Sequence, residues 1–277
     1  MIYTYGLEVG TKLLARGKII PGLKHLVIPV AYWRTTEFGL TMRYGEFQRT
    51  DVILDIGSPK LLSLYLAKTL GADVYSTDID GYFLPEYQPL REIEGLSPNR
   101  FHIEVEHGRE LRYPDAFFDK VFSVSVVEHL PDDGDSACLR EIGRVLKPGG
   151  RCMLTVPFGR TPKNQYRNAS DFYWSNLSTK AEDGSVFFQR RYDETGLYER
   201  LIHPSGLSLK HLLFVGERVF EASDREFIEH LPPLTEVLLG PAQASLDRLL
   251  QTAPTTDWHS LKKPLCAFIT LEKPATP

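Results

Sequence analysis

The 277-residue sequence predicts an α/β fold: a doubly wound, mostly parallel sheet of seven strands, with an antiparallel edge strand and helices on both faces. Three observations predict it. Short β-branched runs alternate with segments of helical period, the pattern of parallel strands joined by crossover helices. The run 52-VILDI-56 passes through a glycine turn into leucines at helical spacing. Glycine and proline punctuate the chain, most sharply at Pro148-Gly149-Gly150.

Residues 1–48 read as an N-terminal helical arm or cap ahead of a single domain over 49–277. After the first strand, Leu62, Leu66 and Leu70 form one stripe of a helix that Gly71 stops. The stretch 73-DVYSTD-78 is the second strand, 101-FHIEVE-106 the third and 120-KVFSVS-125 the fourth. A helix over about 136–146 places Cys138, Ile142, Val145 and Leu146 on one face, and 151-RCMLTVP-157 is the fifth strand. Residues 158–190 are polar and carry many aromatics, the character of a lid-like insert at a strand tip. The next segment, 191–219, reads as a helix, a turn at Pro204-Ser205-Gly206 and a strand. Ser223-Asp224-Arg225-Glu226 has capping-box spacing and opens a helical insert at about 223–262. Finally 265-LCAFITLEK-273 closes the sheet from its edge.

Composition excludes several classes. With 42% apolar and 25% charged residues, the chain has the make-up of a soluble globular protein. A formal net charge of −4 gives no general attraction to nucleic acid, so no nucleic-acid partner is expected. The three cysteines are far apart and form no CxxC pair, which fits a reducing, cytoplasmic setting and gives no zinc site. No apolar run is long enough to span a bilayer, and no small-residue cleavage site follows 26-LVIPVAYW-33. Residues 1–34 carry five Lys or Arg against Glu8 alone, which allows weak contact with an anionic membrane surface or simply a solvated face. A monomer or a homodimer is expected.

Ligands of such sheets sit beyond the carboxyl ends of the strands, which draws attention to Asp55, Asp78, Glu106 or His107, and Ser125. An acid at the second strand's tip, Asp78, can accept hydrogen bonds from both hydroxyls of a ribose. Asp55, just ahead of Gly57, would repel a pyrophosphate. A phosphate cradle also needs several converging N–H groups, and Pro59 removes one. A nucleoside with a cationic centre and no phosphate, S-adenosylmethionine, satisfies both constraints.

The stretch 105–159 is similar to the core of the class I S-adenosylmethionine-dependent methyltransferases of the type often numbered 11, whose sheet is Rossmann-like. Its landmarks are 114-PDAFFD-119, 128-EHLPD-132, 140-REIGRVLKPGG-150 and 154-LTVPFG-159, and the likeness covers about residues 50–220. The resemblance implies that Asp55, Gly57 and Ser58 contact the methionine part and Asp78 the ribose. Ile79 would pack on adenine, Glu106 or His107 would bond its amino group, and Ser125 would lie beside the cofactor. Pro59, Leu61 and His107 depart from the family pattern.

Methyl transfer needs alignment and, for a protonated acceptor, a base. His129 is the candidate general base and Glu128 its orienting partner or a binder of substrate cation, unless both only tether the next segment. The aromatic insert, with Tyr166, Phe172, Tyr173 and Trp174, would wall the acceptor pocket, and Arg190, Arg191 and Tyr192 could read an acidic acceptor. Arg43 and Tyr44 either reach the cofactor carboxylate or pair elsewhere. Asp132, Asp133 and Asp135 read as a solvated helix start. No Asn/Asp-Pro-Pro-Tyr stands at the fourth strand, and no acid pair marks the strand tips as in catechol-type Mg²⁺ enzymes. The expectation is metal-independent O- or N-methylation of a small natural-product-like, sugar or lipid acceptor, yielding S-adenosylhomocysteine. Three rivals stand beside it. A nicotinamide-dependent reductase lacks its Tyr-x-x-x-Lys here. The other two are a catalytically inactive scaffold, and an S-adenosylmethionine-binding enzyme with other chemistry such as cyclisation or decarboxylation.

Overall fold

The computed structural model describes residues 1–30, 32–57, 61–171, 179–218 and 251–275, with backbone alone at Tyr32, Trp33 and Asp171. Three helices come first: α1 (Ile2–Ala15), α2 (Ile19–Val27) and α3 (Tyr32–Gly45). Strands β1 (Val52–Ile56), β2 (Asp73–Asp78), β3 (Phe101–Val105), β4 (Phe118–Val124) and β5 (Leu146–Pro157) follow in chain order. A hairpin of β6 (Lys163–Arg167) and β7 (Val186–Arg191) then precedes β8 (Ser208–Gly216) and β9 (Pro264–Glu272). The main sheet has the order β3-β2-β1-β4-β5-β9-β8. Its first five strands pair in parallel, while β9 runs antiparallel to both β5 and β8. The reversed strand thus lies one place in from the margin, with β8 outermost.

Period-two alternation sorts each strand between two cores. On one face Leu54, Ile56, Val121, Cys152 and Leu154 pack with Cys138, Leu139 and Ile142 of α6 (Gly134–Val145). On the other face Ile53, Phe122, Val124 and Met153 pack with Tyr5, Val9 and Leu13 of α1 and Phe38 and Leu40 of α3. The arm is therefore bonded into the same core as the sheet. Covered on both faces, the strands read as near-continuous apolar runs.

The helix expected after the first strand begins as α4 (Leu61–Tyr65) but widens to a π-helical turn over Leu66–Leu70 before Gly71 ends it. Between β2 and β3 lies α5 (Leu84–Ile93). The segment 194–205 is helical with a π-helical centre at Leu197–Ile202. Of the expected helical insert, 223–250 lies outside the described residues, and 251–262 carries a 3₁₀ turn at Trp258–Ser260 where a helix was expected.

Two of the sequence landmarks prove architectural. Glu141 accepts from the Leu111 amide at 2.8 Å, and Arg144 donates to Glu141, to Asp115 and to the carbonyls of Leu111 and Tyr113. Lys147 reaches Asp119 at 2.8 Å, and that same carboxylate takes the Val52 amide at 2.9 Å. The charged residues of 114–119 and 140–147 thus lace α6 to the loops at the bottom of the sheet, away from the strand tips.

Candidate active site

The carboxyl ends of β1, β2, β3, β4 and β5 open on one edge. At β1, Gly57 has φ +83°, and a Cβ there would meet the Val126 side chain at 2.1 Å. Only glycine lets β1 turn this close to the loop after β4. Its amide donates to the Thr77 carbonyl at 2.9 Å, which ties the turn to β2. Asp55 is fully buried and faces α4; its carboxylate accepts from the Ser63 hydroxyl, with the Ser76 hydroxyl at 3.4 Å. Ser58 lies outside the described residues.

At the tip of β2, Asp78 is 3% exposed, and one carboxylate oxygen accepts from the Asp80 amide at 3.3 Å. Ile79 beside it is half-buried. Beyond β3, Glu106 and His107 separate in character. Glu106 is buried and takes the Arg112 Nε at 2.6 Å and the Arg112 amide at 3.3 Å. His107 is half-buried, with Arg109 at 3.3 Å from each ring nitrogen through its amide and its guanidinium. Burial, then the Arg109 charge, pushes its pKa below the usual value, so the ring is neutral near pH 7.

Past β4 the chain meets the arm. Ser125 is buried in the left-handed region, φ +51°, and its hydroxyl donates to Glu37 of α3. Thr155 of β5 donates to the same Glu37 oxygen at 2.9 Å and accepts from the Ser125 amide at 3.0 Å. Arg34 closes the group, donating to the other Glu37 oxygen at 2.7 Å and to the Val124 carbonyl at 3.3 Å. Burial alone would depress the Arg34 guanidinium, but Glu37 opposite outweighs it and raises its pKa. A small cavity beside this corner is lined by Glu37, Leu40, Thr155, Val215, Leu265 and Cys266. Sequence reasoning missed Arg34 and Glu37 altogether. The one available sign was an opposite-charge pair at i, i+3, Glu37 being the first acid after Glu8.

Glu128 and His129 share the 3₁₀ turn Val127–His129. Glu128 is 1% exposed, and its carboxylate lies 3.9 Å from His129 Nε2. His129 Nδ1 is 2.7 Å from the Phe188 carbonyl on β7. A carbonyl only accepts, so Nδ1 carries the proton and Nε2 is the basic nitrogen of the neutral ring. The hairpin thereby orients His129, with the Phe188 ring also 5.0 Å from the imidazole.

The insert is less of a loop than expected. Tyr166 sits on β6, 46% exposed, with its ring edge-on to Phe187. Arg191 is bound to the Thr161 carbonyl at 3.2 Å. Phe172, Tyr173 and Trp174 lie outside the described residues. Two expectations need correction. Arg190 and Tyr192 do not face an acceptor: Asp135 takes Arg190 Nη1 at 2.7 Å and the Tyr192 hydroxyl at 2.8 Å. Asp135 is fully buried rather than a solvated helix start, because Arg200 also binds both its oxygens. Arg43 stacks over Tyr44 at 5.5 Å. Among the described residues no group of three or more His, Cys, Asp or Glu is placed to hold a metal ion, and no helix is long and apolar enough to cross a membrane.

Residues 54–154 match the family "Methyltransferase domain". The chain is 27% identical over 188 residues to methyltransferase GfsG of Streptomyces halstedii, an alignment covering 66% of this chain and 63% of that protein. It is 27% identical over 199 residues to demethylmenaquinone methyltransferase of Listeria monocytogenes serotype 4a, covering 63% of this chain and 82% of the relative. Among solved structures, that of the [4+2]-cyclase SpnF superposes with a TM-score of 0.57 at 19% identity, covering 87% of this chain and 81% of that one. At that identity the likeness is one of fold. The family match across β1 to β5, the methyltransferase relatives and the strand order together support a class I S-adenosylmethionine-dependent methyltransferase.

Proposed function

We propose that the chain transfers the methyl group of S-adenosylmethionine to an oxygen or nitrogen of a small organic acceptor, in line and without a metal ion. One observation carries the reading: a glycine turn at β1, its Cβ space already filled by Val126, stands beside the buried carboxylate of Asp78 at the next strand tip. A small acceptor is supported by the relative whose name gives demethylmenaquinone as its substrate.

The residues present fit the cofactor. Bound there, it supplies a methyl group on a cationic sulfur. Asp78 accepts from the ribose hydroxyls, and the open Gly57 turn, with Ser58 after it, admits the methionine part. Asp55 holds the base of that turn through Ser63 and Ser76. Ile79 packs on adenine. Glu106, beside its bond to Arg112, or neutral His107, beside Arg109, accepts from the adenine amino group. Ser125, fixed by Glu37, forms the floor between cofactor and acceptor.

His129 takes the acceptor's proton at Nε2, the nitrogen that the Phe188 carbonyl leaves basic. Glu128 steadies the resulting cation from within the same turn. Tyr166 and Arg191 of the hairpin, with Phe172, Tyr173 and Trp174, wall the acceptor side. We place the reaction in the cytoplasm, on a monomer or homodimer.

Titration calorimetry with S-adenosylhomocysteine tests the cofactor site, and incubation with methyl-labelled S-adenosylmethionine and cell extract tests transfer. Binding followed by a labelled small product is expected. A folded protein that gives no heat would leave an inactive scaffold as the better reading.

A further inference from the structure

Helix α2, IIPGLKHLV, is mostly apolar, yet Gly22 is its only buried residue. The reason lies in how it packs. Gly22 lets α2 close onto α1, where an added Cβ would meet Leu14 at 2.7 Å, and a Cβ on Gly10 would meet the Gly22 carbonyl at 3.0 Å. The two helices touch through their glycines, while α1 turns Tyr5, Val9 and Leu13 to the body of the protein. Ile19, Ile20, Leu23 and Lys24 of α2 are left outside, while His25, Leu26 and Val27 are half-buried.

At the tip of this hairpin Ile19 is 62%, Ile20 82% and Leu23 50% exposed. Single exposed apolar residues need no explanation, but three together on one short helix do. Arg16, Lys18 and Lys24 are also exposed around them, and none of the described salt bridges uses any of the three. The chain has no Asp or Glu between Glu8 and Glu37. The tip is thus cationic and apolar on a chain whose net charge is −4. Two acids of the body act on this hairpin: Glu94 is taken by Lys12 at 2.8 Å, and Glu86 acts on His25 on the inner part of α2.

We propose that the α1–α2 tip docks on an anionic lipid bilayer surface, with Ile19, Ile20 and Leu23 entering the headgroup boundary and Arg16, Lys18 and Lys24 facing lipid phosphates. The charge pattern selects this occupant: a second copy of the chain would bring the same positive tip against itself, and a neutral surface would leave three cations without counter-charge. The proposal is independent of the methyl-transfer reading.

Cosedimentation of the full chain with phosphatidylglycerol-rich vesicles and with pure phosphatidylcholine vesicles tests it. Binding to the anionic vesicles and not to the neutral ones, weakened by salt, is expected. Ile20→Asp should abolish it, and Lys18→Glu with Lys24→Glu should weaken it at least roughly twentyfold, since each basic residue near such a surface contributes about a fivefold factor. Both variants change exposed positions, and matching thermal unfolding checks that they fold. Failure to bind anionic vesicles, equal binding to neutral ones, or unchanged binding by both variants would overturn the proposal. So would light scattering showing a dimer that Ile20→Asp dissociates, which would assign the tip to a second copy.

Discussion

Gly57→Ala isolates the contact on which the β1 turn depends. Two costs add. An L-residue at φ +83° sits in the left-handed region, which costs about 1–2 kcal/mol. The new Cβ would also lie 2.1 Å from Val126 Cγ1 and 2.7 Å from Cγ2, and relieving such overpacking costs about 1–3 kcal/mol. We expect a total near 3 kcal/mol, which for a domain of this size lowers the melting temperature by roughly 6–12 °C. Gly184 supplies the control, since it has the same φ of +83° and nothing within 4 Å of an added Cβ. Gly184→Ala should cost only the backbone part, a fall of about 2–8 °C. Thermal unfolding without ligand measures both. Val126→Ala in the Gly57→Ala background should recover part of the loss, because it removes the two nearest atoms, and should recover nothing beside Gly184→Ala. Equal losses in the two glycine variants, or no coupling to Val126, would show that β1 does not approach the β4 loop as described.

Other perturbations act elsewhere in the fold. Asp135→Ala leaves Arg190, Arg200 and Tyr192 without their shared acceptor in a buried site, so urea unfolding should show a loss of about 3–5 kcal/mol. His129→Ala should lower turnover roughly 10²–10⁴-fold once an acceptor is known, and leave S-adenosylhomocysteine binding by calorimetry unchanged. Thiol titration of the native protein should be fast at Cys266 alone, because Cys138 and Cys152 are fully buried and burial pushes Cys138 up to about 12. His25 and His107 both lie below the usual histidine value, each chiefly through burial, so the unfolded chain binds protons more readily. Their stabilising effect is complete above about pH 6.5 and is lost as pH falls through their folded-state values. The melting temperature should therefore drop between pH 7.5 and 5.5, and a flat profile there would contradict the burial of these rings.

The parallel sheet was legible because both its faces are covered, which makes 52–56, 120–125 and 151–157 read as apolar runs. Helix α6 was legible from a single stripe of Cys138, Ile142 and Val145. What escaped was set by partners distant in sequence. Asp135 sits among Asp132 and Asp133 like any acidic helix start, and only the fold brings Arg190 and Arg200, 55 and 65 residues later, onto it. Glu37 meets Ser125 across 88 residues. The π-helical turn at Leu66–Leu70 follows from no local propensity, since leucines at i, i+4 fit an α-helix equally well. The β6 strand was invisible for another reason: KNQYR is an exposed hairpin edge with no apolar alternation.

The distribution of charge at the strand tips bears on which nucleotide can bind. Asp55, Asp78, Glu106 and Glu128 are all at most 6% exposed, and all stand at or just past the carboxyl ends of β1 to β4. The arginines that meet these or the neighbouring acids are themselves engaged. Arg112 is spent on Glu106, and Arg34 on Glu37. Neither is left as a free counter-charge for an anion. A diphosphate entering here would lose its hydration and find carboxylates nearby, each repelling it by about 4 kcal/mol per unit charge at 4 Å in a medium of effective dielectric 20. A sulfonium meets the opposite field. In the cofactor site we propose, the carboxylates that repel a phosphate favour a cation and Asp78 accepts from ribose, so one set of acids fits both the sparse glycine turn and the choice of cofactor.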